Sequence, residues 1–182
     1  MIKTICIYCA SSDKIYDIYN KDAETLGSLL GKRQMKILNG SGSRGLMRTI
    51  SDAVLSSGGT VTGVIPRFMV KNGWCHPNLT EVIQTETMHE RKKIMADLSD
   101  VTIALPGGFG TLEELLEIIT WRQLGLYNNP VIILNTNNYF DPLFEMFRRA
   151  TKEKFMREDQ SVFWHVAQTP EEAINIIDTL NS

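Results

Sequence analysis

Ile103-Ala104-Leu105-Pro106-Gly107-Gly108-Phe109-Gly110-Thr111-Leu112-Glu113-Glu114 is an apolar run that stops at a proline, crosses three glycines within four residues and opens an amphipathic segment reaching Leu124. The order reads as strand, tight loop and helix. Gly107, Gly108 and Gly110 allow positive φ and a close approach of backbone to a ligand. A glycine-rich loop running into a helix start aims amide N–H groups and the positive end of the helix dipole at an anion, most often a phosphate. Glu113 and Glu114 then stand in the first turn.

Outward from this stretch, apolar runs of strand length alternate with helical patterns. Strands are expected at 2–8, 36–38, 60–65, 80–84, 101–105 and 131–134, with a short edge strand at 162–166. Helices are expected at 16–33, 45–56, 88–98 and 139–154. Gly31 weakens the last turn of the first of these. A last helix starts at Thr169-Pro170-Glu171, with threonine as N-cap, proline at the first helical position and an acid in the first turn. Residues 67–78 have no clear period and read as a long surface loop of the kind that often carries function. The alternation implies βαβ units and a parallel sheet covered on both faces, a single α/β domain over residues 1–182. Ligands in such folds bind beyond the carboxyl ends of the strands, which puts the loops after strands one, two, three and five on one rim.

Composition narrows the partners. The 182 residues are 43% hydrophobic and 22% charged, enough for a full core. A formal net charge of -2 offers no basic face for nucleic acid. No apolar run reaches the length of a membrane span. The N-terminus enters a strand directly, without a basic region and apolar stretch, so the expected location is cytoplasmic. Cys6, Cys9 and Cys75 make an odd count without framework spacing, against a disulfide scaffold. Cys6 and Cys9 read as small buried hydrophobes, and a zinc site from them with Cys75 and His76 lacks the usual second pair. No metal is expected.

Four segments on the rim carry candidate chemistry. Ala10-Ser11-Ser12-Asp13 either touches a ligand or caps the next helix, and composition alone favours the cap. Gly40, Gly42 and Gly45 fit G-x-G-x-x-G between a strand and a helix. The third strand ends without an acidic residue for a ribose, which rejects NAD. A turn for a smaller nucleotide and plain helix–strand packing both remain open. In Met88-His89-Glu90-Arg91-Lys92, Arg91 suits a bidentate clamp on phosphate, against a solvated face formed by Glu90, Arg91, Lys92 and Lys93; composition alone favours the solvated face. Thr111-Leu112-Glu113-Glu114 fits a capping box with Thr111 as N-cap and Glu114 at the third helical position. Two features tilt Glu114 toward function. Three glycines exceed what a cap requires, and a carboxylate beside a phosphate site suffers like-charge repulsion.

Taken together these residues resemble a known family along almost the whole chain. Pro106-Gly107-Gly108-Phe109-Gly110-Thr111-Leu112-Glu113-Glu114 fits the signature P-G-G-x-G-T-x-x-E of the LOG ("Lonely guy") group, the cytokinin riboside 5′-monophosphate phosphoribohydrolases. Met88-His89-Glu90-Arg91-Lys92 fits its second signature. Gly45-Leu46-Met47, Leu79-Thr80-Glu81 and Trp121-Arg122-Gln123-Leu124-Gly125 are similar as well. The resemblance implies a Rossmann-like, three-layer α/β/α domain with a mostly parallel sheet, acting as a homodimer with its site near the interface. It implies hydrolysis of the N-glycosidic bond of adenosine 5′-monophosphate or an N6-substituted derivative, giving free base and ribose 5-phosphate with no cofactor. Carried over by position, Arg91 and Glu114 form the catalytic pair, and Gly107, Gly108, Gly110 and Thr111 hold the 5′-phosphate. Ser11, Gly42, Met88 and Lys92 complete the substrate-binding set. The second loop departs from the family's G-G-G-S-x-G-L-M-G at Ser41 and Arg48, with Asn39 where tyrosine is common. The alternative is a binding module of the same fold, such as the molybdenum-cofactor carriers, that holds a phosphorylated ligand without turnover. Lysine decarboxylation, a function once assigned to this group, needs a Schiff-base lysine, and no lysine stands out.

Overall fold

Apolar runs that do not alternate suit strands covered on both faces, and the computed structural model, which describes residues 2–157 and 163–181, places them there. The strands are β1 (Thr4–Tyr8), β2 (Lys36–Asn39), β3 (Thr60–Pro66), β4 (Glu81–Thr85), β5 (Val101–Ala104), β6 (Val131–Leu134) and β7 (His165–Ala167). They form one sheet in the order β4-β3-β2-β1-β5-β6-β7, and every pairing is parallel. The chain moves outward from β1 to β4 and then returns to the other side of β1 with β5. This reversal opens a crevice beyond the ends of β1 and β5, the place where such sheets bind ligands. The register Ile5↔Val101 to Tyr8↔Ala104 brings the two ends level. Leu105 N–H donates to the Tyr8 carbonyl at 2.8 Å, and Ala10 N–H donates to the Pro106 carbonyl at 3.2 Å, so the two loops leave together.

The helices are α1 (Asp17–Lys32), α2 (Gly45–Ser56), α3 (Arg67–Lys71), α4 (Met88–Asp97), α5 (Phe109–Gln123), α6 (Asp141–Lys152) and α7 (Pro170–Leu180). Two apolar clusters fill the space on either side of the sheet. On one side Leu26 and Leu30 of α1, Leu46 and Ile50 of α2 and Ile174 of α7 pack on Ile5, Ile7 and Ile103. On the other, Met95 of α4, Leu115 and Ile118 of α5 and Phe140 pack on Cys6, Leu38 and Ile133. Cys6 and Cys9 belong to opposite clusters. The result is the three-layer α/β/α arrangement expected from the sequence.

The differences have local causes. Residues 67–78 are not wholly a loop: Arg67–Lys71 form α3, after which the chain turns at Gly73 with φ 72°. The segment expected as one helix at 139–154 is preceded by a short 3₁₀ turn, Thr136–Asn138, and α6 begins only at Asp141. The edge strand begins at His165; residue 162, where the expected strand starts, lies outside the described residues. Gly31 has a packing role in α1. It is buried, and a Cβ there would stand 2.6 Å from the Val54 carbonyl oxygen, so its absence lets α1 and α2 touch. Gly27 does the same one turn earlier, where a Cβ would lie 2.7 Å from Cβ of Ala53 and 2.9 Å from the Ile50 carbonyl oxygen. No helix among the described residues is long and apolar enough to cross a membrane.

Gly27→Ala should therefore force α1 and α2 apart and lower stability by about 1–3 kcal/mol, despite alanine's better helix propensity. Urea unfolding of the variant measures it; an unchanged or raised midpoint would show that the contact is not tight.

Candidate active site

Helix α4 places the first catalytic candidate. Its N-cap is Thr87, whose Oγ1 accepts the Glu90 N–H at 3.1 Å, while the Glu90 carboxylate accepts the Glu86 N–H at 2.8 Å. That fixes the start of the helix and with it the direction of residue 91. His89, Glu90 and Lys93 are solvated, but Arg91 and Lys92, expected on the same solvated face from composition, are each only 6% exposed. Two buried cations on one short helix require anionic partners.

The partners come from α5. This helix starts at Phe109 with Gly108 as N-cap, so Thr111 lies inside the first turn and the capping box expected at 111–114 does not form. Glu114 points inward instead. Arg91 Nη2 reaches Glu114 Oε1 at 3.4 Å, with both side chains nearly excluded from solvent. Burial pushes the Glu114 carboxyl up to about 7, against the opposing pull of the Arg91 guanidinium. Such a group changes charge around neutral pH, which suits acid–base or electrostatic work.

Arg91 is under-satisfied. Nη1 faces only the thioether sulfurs of Met88 at 3.8 Å and Met69 at 3.9 Å. Nε is buried and has no hydrogen-bond partner among the described residues. Gly40 explains how the guanidinium fits: a Cβ at that position would overlap Nη2 and lie 2.9 Å from Cζ. The glycine at position 40 is therefore spatial room for a cation.

The pair faces a cavity of about 560 Å³, within the usual range for small-molecule sites. Its walls come from the rim loops: Ala10 and Ser11 after β1, Gly40 and Gly42 after β2, Met69 and Trp74 after β3, and Gly108 to Thr111 after β5. Met47, Ile65 and Met88 add apolar surface. Two helix N-termini point toward it, and they differ. At α2, Asp13 already occupies the end, since its carboxylate accepts the Gly45 N–H at 2.7 Å. At α5 no side chain caps the end, and Gly108 and Gly110 have open space where a Cβ would project. The orphan amides free to receive an anion are therefore those at the start of α5.

The structure gathers most of the expected residues. Arg91, Glu114, Gly108, Gly110, Thr111, Ser11, Gly42 and Met88 all line the cavity. Gly107 and Lys92 do not. A Cβ on Gly107 would overlap Thr111 Oγ1, and the Gly107 carbonyl accepts the Tyr139 hydroxyl at 2.7 Å, so Gly107 serves packing. Lys92 turns away from the cavity, its Nζ 2.5 Å from Glu113 Oε1 and 3.0 Å from Glu117 Oε1. None of the three loop glycines has positive φ; Gly108 sits at φ −85°, ψ −151°. Positive φ occurs instead at Gly45, which packs on the backbone of Ser11 and Ser12, and at Ser41. The G-x-G-x-x-G match is thus chiefly a packing motif. Met69 and Trp74 escaped the sequence reading as site residues, and Gly40 was read there only as part of a turn. Their signal was position only: each follows a strand end on the functional rim.

Comparison with known proteins adds to this geometry. The family model described as "Possible lysine decarboxylase" matches residues 47–177. A probable cytokinin riboside 5′-monophosphate phosphoribohydrolase of Oryza sativa subsp. japonica is 40% identical over 176 residues, covering 97% of this chain and 72% of that protein. The cytokinin riboside 5′-monophosphate phosphoribohydrolase of Rhodococcoides fascians is 40% identical over 155 residues, covering 85% of this chain and 78% of that protein. Among solved structures, the molybdenum cofactor binding protein from Rippkaea orientalis matches with a TM-score of 0.75 at 23% identity, over 100% of this chain and 99% of that one. At that identity the likeness extends to the fold alone.

Gly40→Ala should displace the guanidinium and open the Arg91–Glu114 distance beyond roughly 4 Å, the reach of an ion pair. A crystal structure of the variant with the pair still in place would contradict the steric account.

Proposed function

Since the chain belongs to the LOG family of cytokinin riboside 5′-monophosphate phosphoribohydrolases, we propose that it is a hydrolase of that kind. It cleaves the N-glycosidic bond of adenosine 5′-monophosphate or an N6-substituted derivative. The observation that carries this reading is the buried Arg91–Glu114 pair standing one helical turn inside an uncapped helix N-terminus, within one cavity.

The parts divide the substrate between them. The free amides at the start of α5, with Gly108, Gly110 and Thr111, take the 5′-phosphate. Glu114 follows Gly110 by one turn, about 5.4 Å of rise along the axis, which suits the ribose. Met47, Ile65, Met69, Trp74 and Met88 form the apolar wall for the base. Methionines adapt their shape, so this wall accommodates a bare adenine or an N6-substituent. Departure of the base builds positive charge on the sugar, and glycoside hydrolysis by carboxylates is the nearest chemical analogy. Glu114 as a carboxylate stabilises that charge and takes a proton from the attacking water. The water oxygen bonds to C1′, the C1′–N9 bond breaks, and the base leaves with its electron pair and gains a proton. Arg91 holds Glu114 and directs its spare donors at the sugar, while phosphate binding supplies energy remote from the reacting bond.

The proposal includes a homodimer. Helix α6 has no buried side chain, and Leu124, Leu126 and Phe109 at the two ends of α5 are largely exposed, leaving apolar surface for a second copy to cover. Three unpaired cysteines suit a cytoplasmic location. Lysine decarboxylation finds no support in the site: no lysine lines the cavity among the described residues, and Lys92 is held by Glu113 and Glu117. A carrier of a phosphorylated ligand would bind AMP without releasing adenine.

Incubation with AMP and with N6-isopentenyl-AMP, with detection of free base and ribose 5-phosphate, tests the reading and separates the two substrates. The rate should rise as pH increases through about 7, where Glu114 ionises. Glu114→Gln keeps the size and loses the charge; it should lower kcat by about 10²–10⁴. Activity near that of the unmodified protein would remove Glu114 from the chemistry.

A further inference from the structure

Lys92 is the one buried cation of α4 that the proposed reaction leaves without a task. Its ammonium is confined between two carboxylates of the neighbouring helix, Glu113 at 2.5 Å and Glu117 at 3.0 Å, and its side chain is only 7% exposed. Lys92 is next to Arg91 in sequence, and Glu113 is next to Glu114. The two ion pairs are therefore consecutive rungs between α4 and α5. Glu113 also lines the cavity, beside the uncapped helix end.

We propose that Lys92 is a positioning residue: by binding Glu113 and Glu117 it locks α4 against α5, so that Arg91 faces Glu114, and it neutralises the negative charge that would otherwise crowd Glu114 and the anion site. The charge pattern supports this. Around the pair stand two cations, Arg91 and Lys92, and three carboxylates, Glu113, Glu114 and Glu117. Removing Lys92 leaves one cation against three. Burial alone would favour neutral Lys92, but the hydrogen bonds it donates to Glu113 and Glu117 outweigh it and hold the ammonium charged. Glu114 is subject to Arg91, Glu113, Lys92 and Glu117, and from β1 and its loop it is faced by Tyr8, Cys6 and Cys9, whose burial keeps them protonated. Among these neighbours only Arg91 and Lys92 favour the charged carboxylate. The arrangement also fits an anion at the α5 terminus, since unneutralised Glu113 would repel a phosphate there.

The role in turnover rests on the hydrolase reading, but the electrostatic claim can be measured without substrate. Carboxyl-carbon NMR titration of Glu114 is followed in the unmodified protein, in Lys92→Met and in Glu113→Gln/Glu117→Gln. Titration should move to higher pH in Lys92→Met, where a favourable cation is lost. It should move to lower pH in the double variant, where the two neighbouring carboxylates that raise the Glu114 carboxyl are gone. Adding Glu113→Gln and Glu117→Gln to Lys92→Met should reverse most of the shift, which a mere strut between helices would not do. In the AMP assay near pH 6, Lys92→Met should lose on the order of tenfold in kcat, the effect of one pH unit on an essential ionisation, recover at high pH, and be rescued by Lys92→Arg. If Lys92→Met does not fold, Lys92→Gln, which also removes the cation, decides by the same upward shift. An unmoved Glu114 titration overturns the inference whatever the protein hydrolyses. Absence of adenine release with the expected shifts overturns the hydrolase reading and leaves the electrostatic role standing.

Discussion

The Arg91–Glu114 pair is the constraint on which the rest depends. Two opposite charges taken out of water are tolerated only when each finds the other in good geometry. Here that requires α4 and α5, separated in sequence by β5, to present consecutive residues to each other. Strand β5 sets their approach because it lies in the sheet centre beside β1. Thr87 and Glu90 fix where α4 begins. Gly40, at the end of β2, leaves room for the guanidinium. Each of these features is local, and together they leave one carboxyl poised near neutrality and one cation with unused donors facing a cavity. A site that is not fully satisfied in the free protein is what a ligand-binding pair looks like.

The α/β class was legible because buried parallel strands and amphipathic helices have different periods, and because Pro66, Pro106 and Pro130 punctuate them. The glycine loop was legible as an anion site for a reason that proved half right. Its glycines were expected to supply positive φ, but Gly108 and Gly110 instead leave space in front of the amides. The capping residue was misread because T-x-x-E occurs three times, at 87–90, 111–114 and 169–172. The first and last are true caps and the second is not. The pattern cannot separate them, since the choice depends on where β5 releases the chain and on a buried partner for Glu114 supplied from α4. The same long-range fact hid Arg91 and Lys92 in an apparently solvated run of charges. Resemblance to the family identified Arg91 and Glu114, while for Lys92 it suggested a substrate contact that the geometry replaces with Glu113 and Glu117.

Fold alone does not distinguish an enzyme from a carrier here. The Rippkaea orientalis protein superposes over the whole chain at 23% identity, and such folds host many functions. The distinction lies in what stands one turn inside the uncapped start of α5. A carrier needs donors for its ligand; an ionisable carboxyl raised to about 7 and backed by an arginine is additional chemistry.

The proposed reaction requires phosphate at the start of α5 and the sugar's reacting carbon at Glu114. A crystal structure with ribose 5-phosphate measures this placement directly. Phosphate oxygens should lie on the amides of residues 109–111 and C1′ beside the Glu114 carboxyl, with Arg91 donating to the sugar hydroxyls. Phosphate bound elsewhere, or a sugar directed away from Glu114, would contradict it.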